Sequence, residues 1–130
     1  MSASAITCLA ADPDGTWLTE EGKATVRVSD CGGALCATII ALKDPNDPQT
    51  GRPMTDTQNA DASKRNRPLV GVQILIGMRA QGPNKWAGQV YDPEDGKTNA
   101  ATVVLEDVNH LKIQGCVVFV CGATTWTRKR

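Results

Sequence analysis

The sequence predicts an all-β fold, an eight-stranded antiparallel up-and-down barrel. Three observations carry that prediction. Eight short runs rich in β-branched and apolar residues are separated by Gly, Pro, Asn and Asp turn signals. Most connections between them are too short for the crossover that a parallel pair requires, so the runs form a meander. Two Cys-x4-Cys units, Cys31 to Cys36 and Cys116 to Cys121, sit where hairpins would close. Closing such a meander into a barrel removes the exposed edges that a flat sheet would leave.

The first expected strand covers residues 15–20, with a turn at 21–23. Residues 24–29 alternate cleanly, with Val26 and Val28 on one face and Thr25, Arg27 and Ser29 on the other. After the turn allowed by Gly32 and Gly33, residues 35–42 supply Thr38, Ile39 and Ile40 to a third strand. The fourth run, 69–79, is the longest. Its alternation sets Val70, Val72, Ile74 and Ile76 on one face, with bends expected at Gly71 and Gly77. Residues 81–84 and 92–97 read as turns flanking a strand at 85–91. The remaining strands fall at 98–105, 110–116 and 124–128.

Residues 43–68 differ from the rest. Pro45, Pro48, Pro53 and Pro68 interrupt a stretch of Asp and Asn with no apolar period. Connections of this length inside small domains are often functional, so candidate binding residues belong here, foremost Asp56, Asn59 and Arg67. Arg67 is the natural fork for a phosphate, sugar or carboxylate group. The competing structural explanation is that Asp and Asn serve turns through their own backbone, with a short helical turn at 62–66 capped by Asp61.

A chain of 130 residues suits one domain, taken as residues 12–130, large enough for a core of its own. Fourteen basic and fourteen acidic residues leave no net charge, which gives no field to attract nucleic acid or an anionic surface. Trp17, Trp86, Tyr91, Phe119 and Trp126 are too scattered for a base-stacking platform, so no nucleic-acid partner is expected. No apolar stretch reaches the ~18 residues of a membrane-spanning helix. Residues 1–11 end in Cys-Leu-Ala-Ala and read either as a shortened export leader or as a frayed tail. Cys8, the odd cysteine of five, favours the leader.

The other four cysteines allow three connectivities. Equal spacers favour local pairing, each bond contributing roughly 2 kcal/mol through loop-closure entropy. Such pairing implies an oxidising compartment, periplasmic or secreted. The rival is a four-thiolate zinc site, for which these spacers are long. Catalytic signals are weak. His110 reads as a solvated residue without a positioned partner, and Ser63 has no nucleophile-elbow context. No catalytic residue, metal ligand or cofactor is assigned.

Two resemblances sharpen this picture. Gly15-Thr-Trp17 on the first strand and Arg128 on the last resemble the lipocalin-like (calycin) arrangement, which implies that Trp17 packs at the closed end with Arg128 over its indole. Gly15-Thr-Trp17, Asp30-Cys-Gly-Gly-Ala-Leu-Cys36, Thr50-Gly-x-Pro53, Asp56, Asn59, Arg67-Pro-Leu-x-Gly71, Trp86-x-Gly88, Tyr91-x-Pro-Glu-Asp-Gly-Lys97, Gly115-Cys116 and Thr125-Trp126 together resemble an exported bacterial family known as domain of unknown function 2147. The chain departs from that pattern at Ala37, where the family has Gly, and at Asn99, where it has Tyr. The resemblance implies a lipocalin-like barrel and leaves the activity open. It adds Tyr91 and Lys97 to the candidate binding residues. The expected function is binding of a small apolar or amphipathic ligand in the barrel, with residues 43–68 as lid or rim. A cell-envelope protein-interaction module, using that rim or the apolar tip Val117 to Val120, is the alternative, and an enzyme built on Asp56, Asn59, Arg67 and Tyr91 ranks last.

Overall fold

The computed structural model of the chain describes residues 12–117 and 120–129, without the side chains of residues 116–121. The leader reading of residues 1–11, the Cys116 to Cys121 bond and the packing of the tip at Val117 to Val120 lie outside the described residues. The strands are β1 (Gly15–Leu18), β2 (Ala24–Asp30), β3 (Leu35–Leu42), β4 (Gln73–Gly82), β5 (Lys85–Asp92), β6 (Lys97–Asp107), β7 (His110–Val117) and β8 (Val120–Arg128). Each pairs antiparallel with its sequence neighbour, and β1 pairs with β8 to close the barrel.

The register shows which face is inside. Trp17 lies opposite Val26, and Val26 opposite Ile39, all three buried. Val28, Ala37 and Leu75 form the next rung, and Leu105, Leu111 and Trp126 another. Because side chains alternate along a strand, their neighbours Arg27 and Gln89 face outward and are exposed. Ala37 is fully buried between Val28 and Leu75.

An even number of up-and-down strands puts the start of β1 and the end of β8 at the same end of the barrel. The β2–β3, β4–β5 and β6–β7 turns share that end, and the long β3–β4 connection lies at the other. Trp17 and Arg128 seal this end, where β1 starts and β8 finishes. Trp17 Nε1 donates to the Pro13 carbonyl at 2.8 Å, and the Arg128 guanidinium lies 4.4 Å from the centre of the Trp17 ring. Arg128 also donates from Nε, Nη1 and Nη2 to the carbonyls of Val108, Asp14 and Asp12. Gly15 precedes this clamp because it adopts φ +135°, and a Cβ there would stand 2.8 Å from Arg128 Nη1. Cys31 and Cys36 are joined by a disulfide across the β2–β3 turn at this end. That bond uses two of the four thiolates that the zinc alternative needs.

β4 corrects the expected strand. It begins at Gln73 and not at Leu69, because residues 69–72 form a turn tied to β3: Gly71 N–H donates to the Ile39 carbonyl and Ile39 N–H to that of Val72. Val70 is therefore 47% exposed and does not share a buried face with Val72 and Ile74. Register shifts beside Ile74 and after Ile76 break the expected alternation, so Ile74 and Leu75 are both buried. β8 begins at Val120, four residues before the expected start, because Gly122 and Ala123 pair with β7 without any strand pattern of their own.

The Arg128 clamp joins two chain ends and a turn, so its loss should open that end of the barrel. Arg128→Ala is expected to lower stability by about 2 kcal/mol, given a cation over indole and three charge-assisted hydrogen bonds at a partly exposed site. Arg128→Lys should recover less than half, since an ammonium cannot fork to three carbonyls. Urea unfolding midpoints measure both.

Candidate functional site

The β3–β4 connection is itself organised. Asp47 anchors its first part, donating its N–H to the Arg52 carbonyl and accepting from Gln49 N–H through its carboxylate. Isolated bridges pair Asn46 with Pro53 and Thr55 with Pro68. Asp61 caps the short helical turn Ala62–Lys64, as expected, by accepting from Ser63 N–H. The Ser63 hydroxyl also donates to Asp61, at 2.6 Å. Asp47 and Asp61 thus serve turns.

Asp56 does something else. The Thr55–Pro68 bridge and the bond from Asp56 N–H to the Arg67 carbonyl bring together two residues eleven apart in sequence. The Asp56 side chain is wholly buried. Its Oδ1 accepts from the Tyr91 hydroxyl at 2.6 Å, and its Oδ2 from Asn59 Nδ2, Arg67 Nε and Arg67 Nη2, each at 2.9 Å. Burial of an ion is costly unless its lone pairs are met, and here both oxygens are. Burial pushes the Asp56 pKa up, but the bonds from Tyr91, Asn59 and Arg67 outweigh it and hold the carboxyl below its usual range. Burial, with the Asp56 carboxylate beside it, pushes Tyr91 up to about 12.

Tyr91 reaches Asp56 from the outside of the barrel. Its pair partner is Thr98, and the adjacent Val90 pairs with the fully buried Leu75, so alternation turns Tyr91 outward. It is nevertheless only 6% exposed. The connection therefore folds back over the outer face of β4–β6 and pins itself there through Asp56. The β5–β6 hairpin completes the contact: Gly96 has φ +73°, and a Cβ on it would collide with the Gln58 carbonyl.

A cleft of about 670 Å³ opens beside this lock. Asn59, Asp61, Lys64 and Arg67 line it from the connection, Ile76 and Tyr91 from β4 and β5, and Lys97, Thr98 and Asn99 from β6. All five expected binding residues therefore meet in one region. Four form the lock, and Lys97 stands on the wall of the cleft outside the hydrogen-bond network. The sequence reading missed Lys64, Ile76, Thr98 and Asn99 as lining residues. Lys64 lies between Asn59 and Arg67, and Thr98 and Asn99 follow Lys97, so proximity along the chain was the available signal. His110 sits apart and is not unpartnered: its Nδ1 lies 2.8 Å from Asp107 Oδ1, across the β6–β7 turn.

Near neutral pH, Tyr91 keeps its proton and Asp56 has none to give. The arrangement is suited to holding the connection in place and presenting Arg67, not to moving protons. Among the described residues no group of three His, Cys, Asp or Glu side chains is gathered for a metal ion.

Asp56→Asn turns an amide donor toward Tyr91 or Arg67 and should cost about 2–4 kcal/mol. The folded pKa of Asp56 lies below the unfolded value of about 4, so its contribution is full above that pH and is lost as pH falls through the folded pKa. Thermal unfolding of the native protein should accordingly weaken below about pH 4. The Asp56→Asn protein should show a shallower acid dependence over the same range.

No curated protein matches the chain. Among solved structures, a protein described as "Protein HP1028 from the human pathogen Helicobacter pylori belongs to the lipocalin family" superposes with a TM-score of 0.78 at 22% identity. The match covers 92% of this chain and 84% of that one, and it shows a shared fold. The family model described as "Uncharacterized protein conserved in bacteria (DUF2147)" matches residues 15–128, and the chain belongs to that family.

Proposed function

We propose that the protein is an exported lipocalin-like binding protein whose ligand is a small amphipathic molecule. The ligand is held at the barrel rim, in the cleft between the connection and β4–β6. The cleft itself carries this reading. Its volume of about 670 Å³ falls within the ~300–1,000 Å³ of small-molecule sites. Its walls combine the side chains of Ile76 and Tyr91 with the polar groups of Lys97 and Thr98. The Asp56 lock holds one wall in place before any ligand arrives, which lowers the ordering cost of binding. Among the described residues, the inner face near Trp17 is filled by Val26, Val28, Ile39, Leu111 and Trp126, which favours the rim over that part of the interior. The disulfide between Cys31 and Cys36 supports export, since such bonds persist in oxidising compartments.

An enzyme using Asp56, Asn59, Arg67 and Tyr91 gains less support, because those groups satisfy one another. Titration of the purified protein with octyl glucoside and with decanoate, followed by calorimetry, tests the binding reading. At least one amphiphile should bind at one site with micromolar affinity, and Thr98→Trp, which fills the cleft from an exposed strand position, should weaken it at least tenfold while leaving the circular dichroism spectrum intact. Binding unaffected by Thr98→Trp would place the ligand elsewhere.

A further inference from the structure

The charged groups around the cleft are unevenly used. Lys64, Arg67 and Lys97 line it together with one acidic residue, Asp61. Elsewhere on the surface, Lys23 is engaged with Glu21 and Glu94, and His110 with Asp107. The ammonium groups of Lys64 and Lys97, by contrast, form no salt bridge or hydrogen bond among the described residues. Asp61 accepts from the N–H and hydroxyl of Ser63 through Oδ1, and its charge is also felt by Lys64 and Arg65. Arg67 commits Nε and Nη2 to Asp56 and so is fixed in direction, with its side chain 39% exposed and Nη1 outside that pairing. The lock therefore does more than hold the connection: it places a guanidinium at the cleft, where Lys97 forms no salt bridge among the described residues and Lys64 shares only the nearby charge of Asp61.

From this arrangement we infer that the cleft recognises an anionic head group, a carboxylate or a phosphate monoester, through Lys64, Lys97 and the free edge of Arg67. Thr98, paired with Tyr91 on the outer face, is placed to add a neutral hydrogen bond to the same group. Ile76 and the Tyr91 ring take the first part of the attached chain. A chain with no net charge has no long-range field to collect anions, so the selection is local to these three cations. Two of them are exposed and screened, so the preference weakens as salt rises. The inference rests on the amphipathic-ligand reading above and specifies the chemistry of its head.

Four probes separate the two ideas: decanoate, decyl phosphate, decyl glucoside and inorganic phosphate, each titrated into the native protein and into the Lys64→Gln/Lys97→Gln double variant. Both lysines are exposed, so the variant should fold, which its thermal unfolding verifies. Decanoate and decyl phosphate should bind at least tenfold tighter than decyl glucoside, which has the same chain length. The double variant should lose about tenfold more affinity for the two anions than for the glucoside. Equal affinity for neutral and anionic amphiphiles would overturn the head-group inference and leave the amphipathic site standing. Inorganic phosphate bound as tightly as decyl phosphate, and lost in the double variant, would keep the anion site and overturn the amphipathic reading. Absence of binding by all four would overturn both.

Discussion

The buried carboxylate of Asp56 is the constraint on which the end of the barrel that carries the long connection depends. A wholly buried ion is tolerated only when it is paired and hydrogen-bonded. Three residues meet that demand from separate stretches of chain: Tyr91 from β5, Asn59 from three residues along, and Arg67 from the far end of the connection. The demand runs both ways. Because Asp56 needs these donors, a long proline-rich connection with no apolar period acquires one docked position on the outside of β4–β6. Because Arg67 is held by Nε and Nη2, the cleft gains a cation of fixed direction.

The two ends of the barrel solve different problems with similar chemistry. At the end where β1 starts and β8 finishes, Arg128 spreads over Trp17 and bonds three backbone carbonyls, so its charge serves closure. At the other end, Arg67 is tied to a carboxylate and lies 6.0 Å from the Tyr91 ring centre, so its charge is partly compensated and partly presented. The Cys31–Cys36 disulfide belongs to the first of these ends, far along the strands from the cleft, and its place in the fold is structural.

Much of the fold was legible because local signals agreed with one another. Alternation at Val26 and Val28, the turn residues at Asn84 and at 92–97, and Gly15-x-Trp17 with Arg128 all act over short distances or belong to one recognisable pattern. Residues 69–72 were not legible, because hydrogen bonds to Ile39 draw an apolar, strand-like run into a turn. Nor was the reason for apolar Ile76 and buried Tyr91 on an outward face, since only the folded connection covers them. For the site, residue type and loop length pointed to Asp56, Asn59 and Arg67. Nothing local distinguishes Asp56 from Asp47 or Asp61, which serve turns. The difference is a bond to Tyr91, thirty-five residues away, and that is a property of the barrel.

The central claim is that Asp56 docks the connection onto a barrel that stands without it, and amide hydrogen exchange of the native protein and of Asp56→Asn tests it most directly. In the native protein the amides of Met54, Asp56 and Leu69, bonded to Pro45, Arg67 and Met54, should be protected along with those of the β2 and β6 ladders. In Asp56→Asn, protection in the connection should fall by at least an order of magnitude, while the amides of Val26 and Val103 exchange as before apart from any global loss of stability. Unchanged protection of Met54, Asp56 and Leu69 in the variant would contradict the account.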